Sequence, residues 1–171
     1  MGILLLYILP YMYNMVKTKQ LNNKEAKDLI PAFQVYGLSI EKYKRFDIVY
    51  TDKEQILIAD KEPIGFYHNN IVYPSLKLLL TSNTQIPSIF LDLGAIPFIT
   101  KGADLMKPGV KDLEQFNKGQ FVIMKDAIHK RPLALGIAEF SSEEIKTMEK
   151  GKVIKTIHYI GDNIWNYGNK A

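Results

Sequence analysis

The first regular pattern in the sequence is an amphipathic stretch over Lys24–Val35. Its apolar residues recur at spacings of three and four, as on one face of a helix: Ala26, Leu29, Ile30 and Phe33. Either Asn22 or Asn23 can serve as the N-cap, because an asparagine side chain accepts hydrogen bonds from the first free backbone N–H groups. Pro31 has no backbone N–H and its ring collides with the preceding turn, so the pattern predicts a helix that kinks or breaks there.

Between Arg45 and Tyr73 the apolar period shortens to two, which indicates strands. The predicted strands are residues 46–50, 55–59, 64–67 and 71–73. Polar turns separate them at Thr51-Asp52-Lys53, Lys61-Glu62-Pro63 and His68-Asn69-Asn70. A short apolar helix is expected over Pro74–Leu80, and the polar run Thr81–Pro87 is the predicted boundary between two domains.

The second half of the chain is predicted to form a new series of strands with two short helices. We expect a strand at 88–92, a helical turn at 94–100, a loop at 102–110, and strands at 119–126 and 132–140. Ser141 to Glu144 is a capping box that begins a helix ending at Gly151. A hairpin is expected from Val153–Ile160 and Asn163–Tyr167, turning through Gly161-Asp162. This order predicts a small β-barrel or curled sheet, packed against a small α/β unit made by the first half.

Residues 1–15 carry no charge, and Ile3–Leu9 is continuously apolar. A membrane span needs about 20 apolar residues, so this segment is too short to cross a bilayer. It also lacks the basic region and the small-residue cleavage site of a secretory signal. Three interpretations remain: a buried strand, a partner-binding segment, or an incorrect start site, since Met15 begins a more usual start. We expect residues 1–14 to be dispensable or irregular.

Composition narrows the classes of protein and site. The 171 residues suffice for one large domain or two small ones, and 47% hydrophobic with 23% charged residues is typical of a folded globular protein. The absence of cysteine excludes disulfides, thiolate zinc sites and iron–sulfur clusters, and it is consistent with a reducing, cytoplasmic compartment. The net charge of +4 permits an anionic partner such as nucleic acid without requiring one.

The sequence contains no recognisable catalytic or metal-binding motif. His68, His129 and His158 show no metal-ligand spacing, and isolated histidines more often have a structural or surface role. The nucleophile elbow, the phosphate loop of nucleoside triphosphatases and the glycine-rich dinucleotide motif are absent as well. We therefore predict no enzyme activity, no metal and no cofactor.

The loop at Gly102–Val110 is the stretch whose composition indicates binding. Gly102-Ala103 has almost no side chain, so the backbone of a ligand can approach closely, while Pro108-Gly109 shapes the exit of the loop. Three flanking lysines can neutralise phosphates: Lys101, Lys107 and Lys111. Leu105-Met106 offers an apolar surface to a base. An equally good interpretation from the residues alone is structural, with Gly102 ending the preceding helix and Leu105-Met106 filling the barrel.

A second basic cluster, made by Lys125, Lys130 and Arg131, surrounds the predicted turn at Asp126–Arg131. A solvated hairpin tip is the favoured interpretation of this cluster. Most aromatic residues on the predicted strands are expected in the core: Phe121, Phe140, Tyr159, Trp165 and Tyr167. An exposed aromatic ring beside a lysine would instead provide a stacking platform for RNA bases.

Several short runs of the second half occur in a familiar order. They are Asp92–Ile96, Gly102–Val110, Ala134–Ala138, Ser141–Glu144, Gly151-Lys152 and His158–Trp165. Together they resemble the PUA domain, the RNA-binding module of pseudouridine synthases and archaeosine transglycosylases. Upstream, Tyr73–Leu79 is similar to a segment of the malignant T-cell-amplified-sequence family, whose members join a pre-PUA domain to a PUA domain. The chain is identified as an archaeal-type member, with the resemblance extending over Lys17–Tyr167.

The resemblance implies an α+β fold, in which a small α/β pre-PUA domain precedes a PUA pseudobarrel of mostly antiparallel strands with two short helices. The implied domains are residues 15–86 and 87–171, after the apolar segment 1–14. The resemblance also implies RNA binding without catalysis. The residues that it selects form the glycine loop: Lys101, Gly102, Ala103, Asp104, Leu105, Met106, Lys107, Pro108 and Gly109.

Partners in translation follow from the same resemblance. Eukaryotic relatives associate with density-regulated protein or form part of ligatin, and they work on the small ribosomal subunit with tRNA. This sequence shows no attached SUI1-type domain, so we expect that role to need a separate SUI1-type initiation partner. The implied RNA is tRNA or rRNA, and a structured end such as a tRNA acceptor stem suits a narrow, modestly basic loop. The alternative is a protein adaptor that docks on an initiation factor or an RNA-modification enzyme, with no membrane contact in either case.

Overall fold

The computed structural model describes residues 16–168, so the prediction for residues 1–14 lies outside the described residues. The first sheet contains β1 (Lys17–Gln20), β2 (Phe46–Tyr50), β3 (Gln55–Ala59), β4 (Glu62–His68) and β5 (Ile71–Pro74). These strands lie in that spatial order and pair antiparallel throughout. Two helices accompany them, α1 (Asn23–Gln34) and α2 (Leu76–Leu80). Across residues 16–168, no helix is both long and apolar enough to span a membrane.

The second half forms the other sheet. Its strands are β6 (Ser88–Leu91), β7 (Leu105–Met106), β8 (Val110–Leu113), β9 (Phe121–Asp126), β10 (Pro132–Ala138) and β11 (Lys152–Tyr159). The spatial order is β7-β11-β10-β9-β6-β8, and β6 pairs parallel with β9 while the other pairs are antiparallel. The helices are α3 (Ile96–Ile99), α4 (Ser142–Thr147) and α5 (Asn163–Asn166), and a 3-10 turn covers Lys107–Gly109. The predicted α+β fold is confirmed.

Helix α1 begins with a capping box around Asn22. The Asn22 side chain accepts hydrogen bonds from the backbone N–H of Lys24 and Glu25, both at 3.0 Å, and Glu25 accepts from the N–H of Asn22 at 2.9 Å. Of the kink or break predicted at Pro31, the break is wrong, because the helix continues to Gln34. In this last turn the proline removes a single hydrogen bond, while Leu29 and Phe33 are buried in the core on either side of it.

The larger of two hydrophobic cores is formed by both halves of the chain. The larger core contains the apolar faces of α1, α2 and the first sheet, and it also includes four residues of the second half: Phe121, Ile123, Leu135 and Ile164. The ring of Phe121 lies 4.8 Å from the ring of Tyr73 and 5.3 Å from that of Tyr36, measured between centroids. A second core lies inside the barrel, with Val122, Met124 and Ala134 among its members. The division into domains at Ile86 stays a prediction.

Three expectations for the second half differ from the structure. The hairpin predicted over residues 153–167 is wrong, because Asp162 is the N-cap of α5 and accepts a hydrogen bond from the N–H of Trp165 at 2.8 Å. The loop predicted at 102–110 contains the short strand β7, which pairs with β11, and the 3-10 turn. Helix α4 has the predicted capping box at Ser141 but ends at Thr147, before Gly151.

Candidate nucleic-acid interface

The glycine loop follows α3 at one end of the second sheet. The N–H of Gly102 donates to the carbonyl of Ile99 at 2.9 Å, and the N–H of Ala103 donates to the carbonyl of Phe98 at 3.1 Å. Gly102 has a φ of +88°, the left-handed conformation that glycine adopts most readily after a helix. The structural interpretation, in which Gly102 ends the preceding helix, is therefore confirmed.

The space beside Gly102 is occupied by the protein's own Tyr159. A Cβ atom at position 102 would lie 2.7 Å from Cε1 of Tyr159 and 3.1 Å from its hydroxyl oxygen. The glycine thus permits the β11 ring to pack on the loop, which differs from the close approach of a ligand that the sequence suggested. Gly109 has a similar role, since a Cβ there would lie 2.8 Å from Cβ of Ala95 and 3.0 Å from Cδ1 of Leu105. Both glycines serve internal packing.

A cavity of about 330 Å³ lies between α3 and the loop. Its lining consists of Asp92, Gly94, Ala95, Phe98, Ile99, Asp104, Leu105, Met106, Pro108 and Gly109. The walls are mainly apolar, and two acidic residues, Asp92 and Asp104, are part of the lining. Phe98 is 66% exposed and Met106 is 49% exposed, so the rim presents an aromatic ring and a thioether to solvent. Exposed apolar side chains grouped at a cavity indicate a binding surface.

Asp104 connects the loop to β11. Its carboxylate accepts a hydrogen bond from the N–H of Thr156 at 2.9 Å, and the hydroxyl of Thr156 donates to the carbonyl of Ala103 at 2.8 Å. Lys152 Nζ lies 3.4 Å from Asp104 and 3.3 Å from Glu139. The hydrogen bond to Glu139, together with the charge of Asp104, raises the pKa of Lys152 above its ordinary value. These contacts hold the loop in one conformation against the sheet.

The structure divides the residues selected from the sequence into three groups. Leu105 is 1% exposed and belongs to the barrel core, as the structural interpretation expected, and it also borders the cavity. The same expectation is wrong for Met106, which is exposed at the rim. Asp104, Met106, Pro108 and Gly109 face the cavity. Lys101 and Ala103 are exposed and Lys107 is half-buried, and within residues 16–168 none of these three, nor Gly102, is part of the cavity lining.

Sequence reasoning missed Phe98 and Asp92. Phe98 lies in the one-turn helix α3, which is too short for a periodic pattern to separate its buried face from its exposed one. Asp92 follows β6 and accepts a hydrogen bond from the N–H of Gly94 at 3.1 Å. The succession Asp-Leu-Gly is a turn signal, and it could have identified Asp92 as a turn residue without revealing the cavity.

The histidines and acids form no metal centre in the part of the chain that the structure describes. Among residues 16–168, no group of three or more potential ligands is close enough to hold an ion. His158 is fully buried, with Nδ1 at 2.7 Å from a carboxylate oxygen of Asp162 and its ring edge-on to Phe66 at 5.1 Å. This histidine lies where the two halves meet.

Two family models match the chain. The model of the PUA domain matches residues 87–160, and a domain of unknown function, DUF1947, matches residues 19–82. An uncharacterized protein of Methanocaldococcus jannaschii is 38% identical over 152 residues, which cover 86% of this chain and 94% of that protein. Translation machinery-associated protein 20 of Saccharomyces cerevisiae is 35% identical over 123 residues, or 68% of each chain.

The chain belongs to the PUA-domain family that includes translation machinery-associated protein 20. Malignant T-cell-amplified sequence 1 of Rattus norvegicus is a further relative of this PUA-domain protein, at 32% identity over 98 residues. That match spans about half of each protein, 55% of this chain and 54% of the rat one. The family resemblance stated from the sequence is confirmed.

Solved structures agree with this PUA-domain assignment. A crystal structure of a PUA domain from Aeropyrum pernix, a tartrate complex, superposes with a TM-score of 0.74 at 27% identity. The superposition covers 88% of this chain and 89% of that one, so both halves of the PUA-domain protein have counterparts there.

Proposed function

We propose that this PUA-domain protein binds a structured RNA end in translation, or in tRNA or rRNA handling, through the cavity of the glycine loop. The observation that carries the proposal is the ring of Phe98, 66% exposed at the rim of a cavity with mainly apolar walls. Proteins that bind unpaired nucleotides stack their bases on such rings. The names of the relatives support a setting in translation. The proposed activity is binding without catalysis.

The charges around the cavity favour a base inside and phosphates outside. The cavity lining includes Asp92 and Asp104 and, among residues 16–168, no lysine or arginine, so a phosphate would find no cation in the walls. Lys101 and Lys107 lie on the same loop outside the lining, where ammonium groups can neutralise the backbone of the RNA. This arrangement suits the unpaired end of a folded RNA better than a continuous duplex.

The test is the affinity for a tRNA transcript. Replacing Lys101 and Lys107 together by Glu should abolish binding at moderate salt, and the slope of log affinity against log salt should fall by about 0.7 to 0.9 per lost phosphate contact. The matched control replaces Lys24 and Lys27 by Glu, which makes the same change of charge on the exposed face of α1. Phe98→Ala should cost about 1–3 kcal/mol of binding free energy. If the folded Lys101→Glu/Lys107→Glu variant binds the transcript as tightly as its control, the site is wrong.

A protein adaptor is the second candidate function, with a SUI1-type factor or the small ribosomal subunit as the partner. The observation that favours it is a set of exposed apolar side chains in the first half, including Val35 at 70% and Ile71 at 54% exposure. Contacts of this kind survive high salt, whereas electrostatic RNA complexes dissociate. A pull-down washed at high salt separates the two functions: retained protein partners favour the adaptor, and their loss favours RNA binding.

A further inference from the structure

The β9–β10 hairpin ends in a turn that is held by one buried carboxylate. Asp126 accepts hydrogen bonds from the backbone N–H groups of Ile128 and His129, and a third from the N–H of Arg131 at 2.9 Å. Its side chain therefore points into the turn, and Asp126 is 7% exposed. The exposed cations of this turn are Lys130 and Arg131, and half-buried Lys125 precedes it. These three residues, with the turn 126–131, are termed the basic tip below.

Lys130 is held in a defined position. Its backbone has a φ of +59°, and its Nζ lies 4.0 Å from the centre of the Phe90 ring, within the range of a cation–π contact. In the parallel register of β6 and β9, Phe90 lies directly beside Lys125. On the other side of Phe90, β8 contributes the exposed pair Lys111-Asp112, whose formal charges cancel. The net charge at this place is positive, and one of its ammonium groups lies over the ring of Phe90.

The basic tip adjoins the glycine-loop cavity through the end of β6. The N–H of Ala127, in the turn, donates to the carbonyl of Leu91 at 3.2 Å. The next residue, Asp92, lines the cavity, and its N–H donates to the carbonyl of Gly109 at 2.9 Å. A single peptide unit of β6 therefore contacts the basic tip on one side and the cavity wall on the other.

We propose that the basic tip binds the sugar–phosphate backbone of the RNA whose end enters the cavity, which extends the proposed function and rests on it. The cavity walls are mainly apolar and, within residues 16–168, contain no lysine or arginine, so the backbone that leaves the cavity needs cations nearby. Lys125, Lys130 and Arg131 belong to the turn whose Ala127 N–H is bonded to the end of β6, beside the cavity wall, and they supply these cations. The sequence favoured a merely solvated hairpin tip for this turn. Such a tip would need neither the contact between the Lys130 ammonium group and the Phe90 ring nor the buried carboxylate of Asp126. Phe90 is a positioning residue, since it acts through Lys130.

The experiment compares salt dependence for two RNA probes. One probe is a tRNA transcript, and the other is a single-stranded RNA of about four nucleotides, which is long enough for the cavity only. Neutralising Lys125, Lys130 and Arg131 to Gln should lower the salt slope for the transcript by about two to three and leave the short RNA unaffected. The matched control neutralises Lys24, Lys27 and Lys53, three exposed lysines of the first half.

The Phe90 ring provides a second readout. Phe90→Leu should weaken transcript binding about two- to fivefold, because the cation–π contact is lost, and Phe90→Tyr should restore it. Thermal melts of each variant verify that the fold is retained.

The outcomes separate this inference from the function on which it rests. If the Lys101→Glu/Lys107→Glu variant loses the transcript while the neutralised tip binds it like the control, the inference is overturned and the proposed function stands. If the neutralised tip weakens the short RNA as strongly as the transcript, the tip is not a backbone contact outside the cavity, and the inference is again overturned. If both sets of variants bind every RNA like wild type, the proposed function itself fails.

Discussion

The contact between Gly102 and Tyr159 can be tested by adding one methyl group. Gly102→Ala places a Cβ atom 2.7 Å from the tyrosine ring, on a backbone with a φ of +88°. A non-glycine residue in the left-handed conformation costs about 1–2 kcal/mol. Crowding in a well-packed site adds about 1–3 kcal/mol, depending on how far the ring can move. Together these amount to a loss of about 2–5 kcal/mol in the free energy of unfolding.

The chain offers a control that isolates the backbone contribution. Gly119 has a φ of +80°, and an added Cβ atom there would find no neighbour within 4 Å. Gly119→Ala should therefore cost only the conformational part, about 1–2 kcal/mol. Urea unfolding of both variants, followed by far-UV circular dichroism, gives the difference between them. That difference is the contribution of Tyr159.

A double-mutant cycle with Tyr159→Ala completes the test. Without the ring, Gly102→Ala should cost no more than Gly119→Ala, so the coupling energy between positions 102 and 159 should be about 1–3 kcal/mol. Since Gly102 does not line the cavity, the folded Gly102→Ala variant should retain the wild-type affinity for a tRNA transcript. Equal losses in the presence and absence of the ring would refute the reasoning, and a selective loss of RNA affinity would restore the ligand-approach interpretation of this glycine.

Two further predictions concern stability. Asp162 is the N-cap of α5, accepts a hydrogen bond from the N–H of Tyr159 and contacts buried His158. Asp162→Ala removes all three contacts, so urea unfolding should show that the free energy of unfolding falls by about 2–4 kcal/mol. Asp162→Asn should lose less than Asp162→Ala. Burial raises the pKa of Asp126, but the hydrogen bonds from His129, Arg131 and Ile128 outweigh it and lower the pKa below the ordinary value of 3.8. Its contribution is therefore complete above that value and is lost as the pH falls through the lowered folded-state pKa. Unfolding between about pH 5 and pH 2 should show a shallower decline for Asp126→Asn than for wild type, and parallel curves would contradict the assignment.

Local patterns predicted most of the regular elements, because the signals that begin them are short-range. The capping box predicted at Ser141 depends on residues three positions apart, and the structure confirms it; of the two N-cap candidates for α1, the structure selects Asn22. The turn predicted at Asp162 was wrong because aspartate is common both in hairpin turns and at N-caps. In the structure it caps α5, whose Ile164 is buried in the core. Strand β7 was missed because two residues carry no period of their own, and its pairing with β11 is a long-range contact.

The candidate site was predictable as a segment and not as a surface. Its composition indicated the loop, yet the interior position of Leu105 and the ring beside Gly102 depend on β11, some fifty positions later in the chain. Phe98 in α3 and Asp92 before it line the cavity together with Pro108 and Gly109 of the 3-10 turn, which follow later in the chain. Which side of a one-turn helix faces solvent is decided by tertiary packing, and that packing is not encoded within the helix itself.

Strands β9 and β10 have no solvent side along their middle: Phe121, Ile123 and Leu135 point into one core, while Val122, Met124 and Ala134 point into the other. If either strand slipped by one position, its side chains would move from one core to the other. Because both cores would then be packed with the wrong side chains, misalignment of this pair is strongly disfavoured. The PUA half therefore buries part of its apolar surface against the first half. In this protein Tyr36 and Tyr73 cover the ring of Phe121. A chimera that joins the PUA half to another protein must supply side chains that cover this ring, because otherwise an apolar patch is exposed to solvent.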